Sequence, residues 1–448
     1  MNEVSVQAYI QFRNANWEWV GTPISLGEVS ESTVIGIANH VPNGYLLVKD
    51  IFNPTYTIVS EDIQWALENP QDSADYGLPE GGLVLNAELE LSSILTGLNI
   101  DMGRHYYSVE VIKLFIDTLA LVKHPYLQLH MTDNENVGME SELLGQTVEG
   151  AVFENNMYIN PNTGMPFLSK DNLREIVAYA QSKNVLVIPE VNIPGHMTAI
   201  LNLVKELSID LYNSIKQDDA NMYVSKTMDY SKEASIIFAQ QLLGEYFDIF
   251  SKQENACFSI GADEVGVIAP NTDIHPITNP AFVNFCNQMN QFIKQNGFKM
   301  RMYNDYIASQ DVESFDKDIQ VMYWSLSGGL DLDDSDAYTQ SGTANNARAQ
   351  QLMDASFELL NYNGYYLYMI AGDRAFQPDA MAYTIQDMKN NFKLVHFYLN
   401  SGLFTSLSPS IIGGAISIWG GEAGNYTDLE IQEHTKDFVE AFVELLNP

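Results

Sequence analysis

The sequence predicts a (β/α)8 barrel domain preceded by a small, mostly β N-terminal module, and two observations lead to this prediction. From about Leu98 onward, short apolar segments alternate with amphipathic helical segments, which is typical of a parallel sheet covered by helices. Eight strand segments over roughly 350 residues suit a closed barrel with insertions. The residues before Leu98 contain short alternating segments separated by Gly and Pro. We therefore expect the β-rich module at residues 1–90 and the barrel at residues 91–448.

The N-terminal module begins with a clear strand signal, since Val4–Phe12 alternates apolar and polar residues. The stretch Asn69–Gly82 is rich in Pro, Gly and Asp, and we interpret it as the linker to the barrel. Trp17, Glu18 and Trp19 could form a platform that stacks on sugars, although tryptophans in such a place more often belong to a strand's core. The module is a candidate accessory, polymer-binding or wall-binding unit.

The barrel domain is predicted strand by strand and helix by helix from the apolar periodicity. Ser108 and Asn279 are expected to cap the N-termini of two of its helices. The eight predicted strands are Asn99–Met102, Leu127–His130, Val185–Glu190, Cys257–Ile260, Lys299–Tyr303, Ile319–Tyr323, Glu358–Tyr362 and Ala415–Ile418. The predicted helices are Val109–Val122, Asp171–Ser182, Ser231–Phe250, Pro280–Gly297, Asn346–Ala355, Ala380–Asn391 and Leu429–Leu446.

The composition excludes several classes of function. The chain carries 58 acidic and 22 basic residues, for a formal charge of −36, so nucleic acid and anionic membrane surfaces are improbable partners. A cationic or neutral polymer is compatible with this charge, although acidic surfaces also serve solubility. Cys257 and Cys286 provide neither a disulfide framework nor a metal-ligand spacing, and we expect both to be free and buried. No metal or cofactor is implied.

In a barrel of this type the chemistry lies just beyond the C-terminal ends of the strands. Polar, charged or aromatic residues follow every predicted strand at that end. Trp324 and Trp419 both fall at strand ends, where aromatic faces suit the apolar faces of a sugar ring. The strand ends carry Gly103-Arg104, Thr132-Asp133-Asn134-Glu135, Pro189-Glu190, Gly261-Ala262-Asp263-Glu264, Tyr303-Asn304-Asp305, Trp324, Tyr362 and Trp419-Gly420-Gly421-Glu422.

The adjacent pair Asp263–Glu264, after the fourth strand, is the sharpest chemical signal. Most glycosidases use two carboxylates from separate strands that flank the scissile bond, and adjacent residues do not readily do this because their side chains diverge. One workable division makes Glu264 the general acid and base at the glycosidic oxygen. Asp263 would then orient a 2-acetamido group of the substrate, whose carbonyl oxygen attacks the anomeric carbon.

These residues carry a resemblance to glycoside hydrolase family 20. Gly261-Ala262-Asp263-Glu264 resembles the family's Gly-Gly-Asp-Glu signature, and the similarity covers about residues 98–448. Within the family the chain is similar to enzymes that hydrolyse poly-β-1,6-N-acetylglucosamine of the biofilm matrix. Further matching segments are Arg104-His105-Tyr106-Tyr107-Ser108, Leu129-His130-Met131-Thr132-Asp133-Asn134-Glu135-Asn136, Tyr158-Ile159-Asn160-Pro161, His196-Met197-Thr198-Ala199-Ile200 and Leu360-Asn361-Tyr362-Asn363.

The resemblance implies roles for individual residues. Glu264 is the implied acid and base, Asp263 holds the acetamide nitrogen, and Tyr368 donates to the acetamide carbonyl oxygen. Arg104 and the glutamate near Trp419 grip hydroxyls of the terminal sugar. The implied aromatic wall consists of Tyr303, Trp324 and Trp419, and the implied supporting network of Asp133 and His196.

Three departures from the family pattern stand out. Ala262 replaces the second glycine of the signature, which costs little if the backbone there has a negative φ. Tyr303 stands where the relatives carry tryptophan. An extra glycine separates Trp419 from Glu422, which puts in doubt whether Glu422 makes the sugar-hydroxyl contact.

The substrate hypothesis is a partly deacetylated, and therefore cationic, N-acetylglucosamine polymer. Asp331, Asp333 and Asp334 follow Trp324, and we expect these carboxylates to attract glucosaminium units. The alternatives are an exo-β-N-acetylhexosaminidase acting on β-1,4-linked or glycan-terminal N-acetylglucosamine, an enzyme that releases a disaccharide from milk-type or mucin glycans, and a carbohydrate-binding surface protein. A polymer substrate of this kind leads us to expect an extracellular or cell-surface bacterial protein, although no export signal opens this sequence.

Overall fold

The computed structural model describes residues 4–14, 19–41, 45–47, 55–91, 94–217, 227–265, 277–325, 345–395, 397 and 410–446. Trp17 and Glu18, and the acidic residues Asp331, Asp333 and Asp334, lie outside these residues. The chain divides into two compact units, one formed by Met1–Ser93 and the other by Ile94–Thr405 with Pro409–Asn447.

The described residues of the N-terminal unit include a mixed sheet and two short α-helices. Its elements are β1 (Val6–Asn14), β2 (Trp19–Val29), β3 (Val34–Ile35), β4 (Tyr45–Leu47), β5 (Tyr56–Thr57), α1 (Ser60–Glu68), α2 (Gln71–Ala74) and β6 (Leu83–Leu91). The main sheet has the order β2-β1-β6-β4, with β1 antiparallel to β2 and parallel to β6. The predicted strand signal at Val4–Phe12 falls on β1, whose Ala8, Ile10 and Phe12 are buried in the core of this unit.

The predicted linker at Asn69–Gly82 is wrong. Residues 71–74 form α2, and the Ser73 hydroxyl donates to the Pro79 carbonyl oxygen at 2.6 Å. Proline and glycine in this stretch therefore shape turns inside the N-terminal unit, and the division between the units falls after Ser93 instead.

The second unit is a closed parallel barrel, which confirms the predicted fold class. Its strands are β7 (Leu95–Asp101), β8 (Pro125–His130), β9 (Val152–Glu154), β10 (Met157–Ile159), β11 (Pro166–Phe167), β12 (Leu186–Glu190), β13 (Cys257–Ser259), β14 (Lys299–Tyr303), β15 (Gln320–Tyr323), β16 (Glu358–Asn361), β17 (Tyr368–Ile370) and β18 (Ile411–Trp419). The barrel consists of β7, β8, β12 to β16 and β18, and parallel pairing of β16 with β18 closes it. All eight predicted strands overlap these eight.

Three antiparallel strands, β9 to β11, form a small sheet of their own, and β17 lies beside β18. None of these four strands is predicted, because each has only two or three residues and no periodic pattern is visible at that length.

The helices of the second unit cover the barrel. They are α3 (Val109–Leu119), α4 (Lys170–Ser182), α5 (Thr198–Leu207), α6 (Ile209–Ile215), α7 (Glu233–Gly244), α8 (Phe247–Phe250), α9 (Pro280–Gln295), α10 (Ala349–Asp354), α11 (Pro378–Asn391) and α12 (Asp428–Leu446). Ser108 accepts a hydrogen bond from the Val111 amide and Asn279 from the Phe282 amide, so both predicted caps are confirmed. The helix predicted over 231–250 is interrupted after Gly244 and continues as α8.

The barrel interior is packed with side chains. Tyr126, Tyr303, Met322 and Tyr362 belong to one buried cluster that also includes Cys257. Cys257 and Cys286 are both free and buried, as expected. Among the helices in the described ranges, none is both long and apolar enough to cross a membrane.

Candidate active site

The C-terminal ends of the barrel strands surround a pocket of about 370 Å³. Eight of the residues selected from the sequence line it, namely Arg104, His196, Asp263, Glu264, Trp324, Tyr368, Trp419 and Glu422; among the described residues, Ile370 and Gly421 line it as well. Two other selected residues, Asp133 and Tyr303, are buried and are not part of this lining.

A turn with unusual backbone geometry presents Asp263 and Glu264. The chain leaves β13 at Ser259, and Gly261, Ala262 and Glu264 then have φ values of 62°, 61° and 45°. The expectation that Ala262 replaces glycine at little cost therefore fails, because its condition of a negative φ is not met. A left-handed conformation costs an L-residue with a Cβ roughly 1–2 kcal/mol. This turn stores that strain next to the carboxylate pair.

The two carboxylates point into different surroundings. The Asp263 side chain is only 15% exposed and accepts a hydrogen bond from the Asn192 side-chain amide at 2.7 Å. Burial raises the pKa of Asp263 above its ordinary value. The Glu264 side chain is 62% exposed, whereas its backbone amide is fixed by donating to Asp305 at 2.8 Å. The two adjacent carboxylates therefore lie in different environments, as expected because the side chains of neighbouring residues diverge.

His196 connects both carboxylates to the interior. Its Nε2 lies 3.3 Å from Glu264 Oε2 and 3.6 Å from Asp263 Oδ2. On the other side of the ring, Nδ1 lies 3.1 Å from Asp133 Oδ1. Burial opposes the charged imidazole, but Asp263, Asp133 and Glu264 outweigh it and raise the pKa of His196 well above its ordinary value. The same contact with His196 lowers the pKa of Glu264.

Asp133 is the centre of the buried network behind the pocket. Its Oδ2 lies 2.9 Å from His130 Nε2 and 2.7 Å from Arg104 Nη2. Although burial alone would raise its pKa, His130 and His196 hold the pKa of Asp133 well below the usual range. Arg104 also contacts Asp101 at 2.9 Å, so two buried carboxylates fix the guanidinium at the pocket edge.

His130 continues this network into the barrel. Its Nδ1 bonds to Glu190, which also accepts hydrogen bonds from Gln128 at 2.6 Å and Ser259 at 2.7 Å. Burial works against the charge on His130, but Glu190 and Asp133 raise its pKa to about 10. The carboxylates around Arg104 are therefore balanced by an imidazolium near neutral pH.

Aromatic side chains form one wall of the pocket. Tyr368 stacks on Trp324 with ring centroids 6.3 Å apart and meets Trp419 edge-on at 5.5 Å. The Arg104 guanidinium lies 5.5 Å from the Trp419 ring centroid. Tyr303 packs edge-on against Tyr362 in the barrel interior, and its hydroxyl has no hydrogen-bond partner within the described parts of the chain. Tyr303 is thus a floor residue beneath the pocket rather than part of the exposed wall.

The extra glycine after Trp419 does not move Glu422 out of the pocket. The Gly420 amide donates to Asp101 at 3.0 Å, and a Cβ at Gly420 would lie 2.8 Å from that of His105. This close approach requires glycine at position 420. Glu422 lines the pocket together with Arg104 despite the insertion.

Sequence reasoning assigns no role to two residues that shape this site. Asn192 donates to Asp263 and accepts from the Ala262 amide at 3.2 Å, so it fixes the turn from within. Asp305 accepts from the Glu264 amide through one oxygen and lies 3.3 Å from Trp324 Nε1 through the other. Burial, together with the neighbouring Asp263, raises the pKa of Asp305 to about 8. The available signal was position, since both residues closely follow barrel strands.

No group of three or more His, Cys, Asp or Glu side chains placed to hold a metal ion occurs within the described ranges.

The comparisons with known proteins relate this chain to the glycosyl hydrolases. Residues 96–432 match the catalytic domain of glycosyl hydrolase family 20. The crystal structure of dispersin B is similar to this structure with a TM-score of 0.70 and 35% sequence identity, over 78% of this chain and 98% of that one.

Two further relatives match shorter segments. A β-hexosaminidase of Vibrio furnissii is 28% identical over 181 residues, covering 38% of this chain and 28% of the relative. A lacto-N-biosidase of Bifidobacterium bifidum is 26% identical over 176 residues, covering 36% of this chain and 15% of the relative. The matched segments therefore span less than a third of the length of either relative.

Proposed function

Because this chain belongs to glycosyl hydrolase family 20, we propose that it is a retaining β-N-acetylglucosaminidase that uses the acetamide group of its own substrate as the nucleophile. The observation that carries the proposal is the division of the carboxylate pair. Asp263 is mostly buried and held by Asn192, whereas Glu264 is exposed in the pocket. A buried carboxylate suits the orientation of a bound group, and an exposed one suits proton transfer to a leaving group.

In the first step the acetamide carbonyl oxygen attacks the anomeric carbon and the glycosidic bond breaks. Glu264 gives its proton to the departing oxygen, and an oxazolinium ion forms. Asp263 accepts a hydrogen bond from the acetamide N–H and stabilises the positive charge that develops there. The Tyr368 hydroxyl donates to the acetamide oxygen and orients it towards the anomeric carbon.

In the second step water attacks the anomeric carbon from the face that the leaving group vacated. Glu264 now accepts a proton from that water, the oxazolinium ring opens, and the product keeps the β configuration. Two inversions at one carbon give net retention, and no cofactor takes part in either step.

The proton of the acid step is supplied through His196. In the free site the charged imidazole lies beside Glu264 and lowers its pKa, so Glu264 is an anion near neutral pH. His196 carries a proton on Nε2 that passes to Glu264 as the leaving oxygen takes one, and the proton that Glu264 accepts from water in the second step returns to His196. Asp133, on the other ring nitrogen, stabilises the imidazolium and fixes its orientation.

The remaining pocket residues bind the sugar. Arg104 and Glu422 line the pocket and would contact its hydroxyls, and Trp324, Tyr368 and Trp419 would provide aromatic surface for its apolar face and acetamide methyl. Tyr303 supports this wall from below through the barrel core. An arginine fixed by two carboxylates loses little conformational entropy when the sugar binds.

We infer that the substrate is poly-β-1,6-N-acetylglucosamine of a biofilm matrix. Similarity to nearly the full length of dispersin B supports this choice, and the formal charge of −36 suits a partly deacetylated, cationic polymer. The matches to β-hexosaminidases support an alternative, an exo-acting enzyme on β-1,4-linked or terminal N-acetylglucosamine. A matrix polymer lies outside the cell, so the protein would act in the extracellular space or at the cell surface.

The test compares hydrolysis of β-1,6-linked and β-1,4-linked N-acetylglucosamine oligomers of equal length, with Glu264→Gln as the control. Preference for the β-1,6 linkage, abolished in the variant, is the expected result. Preference for the β-1,4 linkage would instead indicate a general hexosaminidase. Turnover that survives in Glu264→Gln would contradict the assigned acid.

A further inference from the structure

The N-terminal unit contains a cleft of about 850 Å³, larger than the pocket of the barrel. Its described lining residues all belong to this unit and include Trp19, Trp65, Tyr76, Asp72, Asp75 and Asn86. Strands β1, β2 and β6 and helices α1 and α2 all contribute to it. A concave site of this size falls within the range of ligand-binding clefts.

Two tryptophans of the cleft are exposed although the unit has a core of its own. Trp19 is 55% exposed and Trp65 is 58% exposed. The Trp65 indole N–H donates to Asp72 at 2.9 Å, and Trp19 meets Tyr76 edge-on with centroids 5.3 Å apart. These contacts fix the rings in place and leave large aromatic surface in the cleft, which is the arrangement that stacks on the apolar faces of sugars.

The polar groups of the cleft favour a cationic ligand. Asp72 and Asp75 are both exposed, and none of its described lining residues is Lys or Arg. The first 93 residues contain 13 acidic side chains and only two basic ones, Arg13 and Lys49. Carboxylates beside exposed tryptophan faces attract an ammonium group both by charge and by cation–π interaction.

Asn86 helps to hold the aromatic face of this cleft in place. Its side-chain amide donates to the Tyr76 hydroxyl at 3.1 Å, and the Tyr76 ring in turn meets Trp19. A polar residue of the lining therefore fixes the orientation of the aromatic pair.

We propose that this cleft is a second carbohydrate site, which binds chains of β-linked glucosamine carrying free amino groups and holds the polymer while the barrel cleaves it. The choice of a sugar over a basic peptide rests on the proposed function of the barrel, whereas the existence of a cationic site rests on the cleft alone. Exposed, fixed aromatic rings beside carboxylates recognise a pyranose bearing an ammonium group through its apolar face and its charge together.

Binding is measured by calorimetry on the full chain carrying Glu264→Gln, so that the ligand is not hydrolysed. The ligands are β-1,6-linked glucosamine oligomers, fully or partly acetylated. We expect two binding events per chain with the partly acetylated oligomer, and Trp65→Ala should weaken one of them roughly fivefold or more. Leu67→Ala, equally exposed on the same helix α1 but outside the cleft, is the matched control.

Charge is tested separately with Asp72→Asn combined with Asp75→Asn. This variant should weaken binding of the partly acetylated oligomer more than that of the fully acetylated one, and added salt should remove the difference. A single binding event in every variant would overturn the proposal. So would oligolysine binding at the Trp65 site more tightly than the glucosamine oligomers. The two proposals can fail separately. If the unsubstituted protein hydrolyses neither β-1,6-linked nor β-1,4-linked oligomers but binding still depends on Trp65, the proposed function is refuted and the cleft remains a binding site.

Discussion

At the scale of single residues, the turn after β13 concentrates the unusual features of this chain. Ala262 is fully buried with a φ of 61°, and it stands where the family signature has glycine. The motif drew attention to the carboxylate pair, which lines the pocket, but no local pattern shows the sign of a dihedral angle. The backbone at Ala262 is set by Asn192 and by the close approach of Gly261, whose Cβ would lie 2.5 Å from Asn192 Oδ1.

Ala262→Gly is expected to change the free energy of unfolding by less than about 1 kcal/mol. Relief of the left-handed strain offsets the loss of one buried methyl group and the added entropy of the unfolded chain. Ala239→Gly, equally buried but inside helix α7, should cost about 2 kcal/mol because no strain is relieved there. Chemical denaturation measures both, and equal losses would show that Ala262 is not strained.

The raised pKa of Asp305 should make the free energy of unfolding depend on pH in a way that one substitution can isolate. Because its pKa in the folded protein is raised to about 8, it keeps a proton that the unfolded chain loses near pH 4. The folded state binds more protons between these values, so stability falls as the pH rises from about 4 to about 8. Asp305→Asn should flatten the unfolding free energy over this window, whereas the exposed Asp379→Asn should not.

His130 provides the internal reference for that measurement. Its pKa, raised to about 10, gives stability that is present below about pH 6.5 and lost as the pH rises towards 10. The decline above pH 8 should therefore remain in Asp305→Asn. An unchanged slope between pH 4.5 and 6.5 in this variant would show that Asp305 titrates normally.

At the scale of elements, the barrel strands were predictable, whereas the short strands within the connections were not. Strands β8, β12 and β13, for example, are short, largely apolar runs buried on both faces, a signal that needs no knowledge of neighbouring strands. Strand β17 has three residues, yet it pairs with β18 and carries Tyr368 into the pocket. Tyr368 was therefore selected through the family resemblance, since tertiary pairing rather than local sequence forms its strand.

Hydrogen bonds at a helix cap connect the beginning and the end of the barrel domain. Asp428, the first residue of α12, accepts hydrogen bonds from the hydroxyl and amide of Ser108 at 2.6 and 2.8 Å. Ser108 in turn caps α3. Hydrogen bonds to a carboxylate are stronger than neutral ones, so this contact joins helices that are 320 residues apart in sequence.

Asp428→Ala should lower the free energy of unfolding by about 2 kcal/mol, because it removes two charge-assisted hydrogen bonds from a partly buried site. Asp437→Ala, in an exposed position on the same helix, should stay within about 0.5 kcal/mol. Urea denaturation of both variants distinguishes a structural link from a general effect of charge. Equal losses of unfolding free energy in the two variants would show that Asp428 does not link the two helices.

At the scale of the whole molecule, the chain combines two units with separate cores. The N-terminal core contains Ile10 and Phe12 from β1, whereas the barrel has its own buried cluster around Tyr303 and Tyr362. We propose that the N-terminal unit is an accessory module that folds as a unit of its own. Sequence composition indicated such a module, but the division after Ser93 depends on long-range contacts that local patterns do not contain.

Phe12→Ala tests this independence. Removing a fully buried phenylalanine should cost about 3–5 kcal/mol within the N-terminal unit and expose its first ninety residues to protease at lower denaturant. Hydrolysis of a small aryl N-acetylglucosaminide should persist under the same conditions, whereas Phe238→Ala in the barrel should reduce it. Simultaneous loss of both signals in Phe12→Ala would mean that the units unfold together.

In the proposed mechanism the substrate's acetamide oxygen is the nucleophile, oriented by Asp263 and Tyr368 while Glu264 transfers the proton. The most direct measurement is kcat/KM for aryl glucosaminides that share one leaving group and carry N-acetyl, N-fluoroacetyl, N-difluoroacetyl or N-trifluoroacetyl groups. Fluorine withdraws electrons from the carbonyl oxygen, so this account predicts a steep fall, roughly a hundredfold or more across the series. A nearly constant kcat/KM would contradict it and require an enzyme carboxylate as the nucleophile.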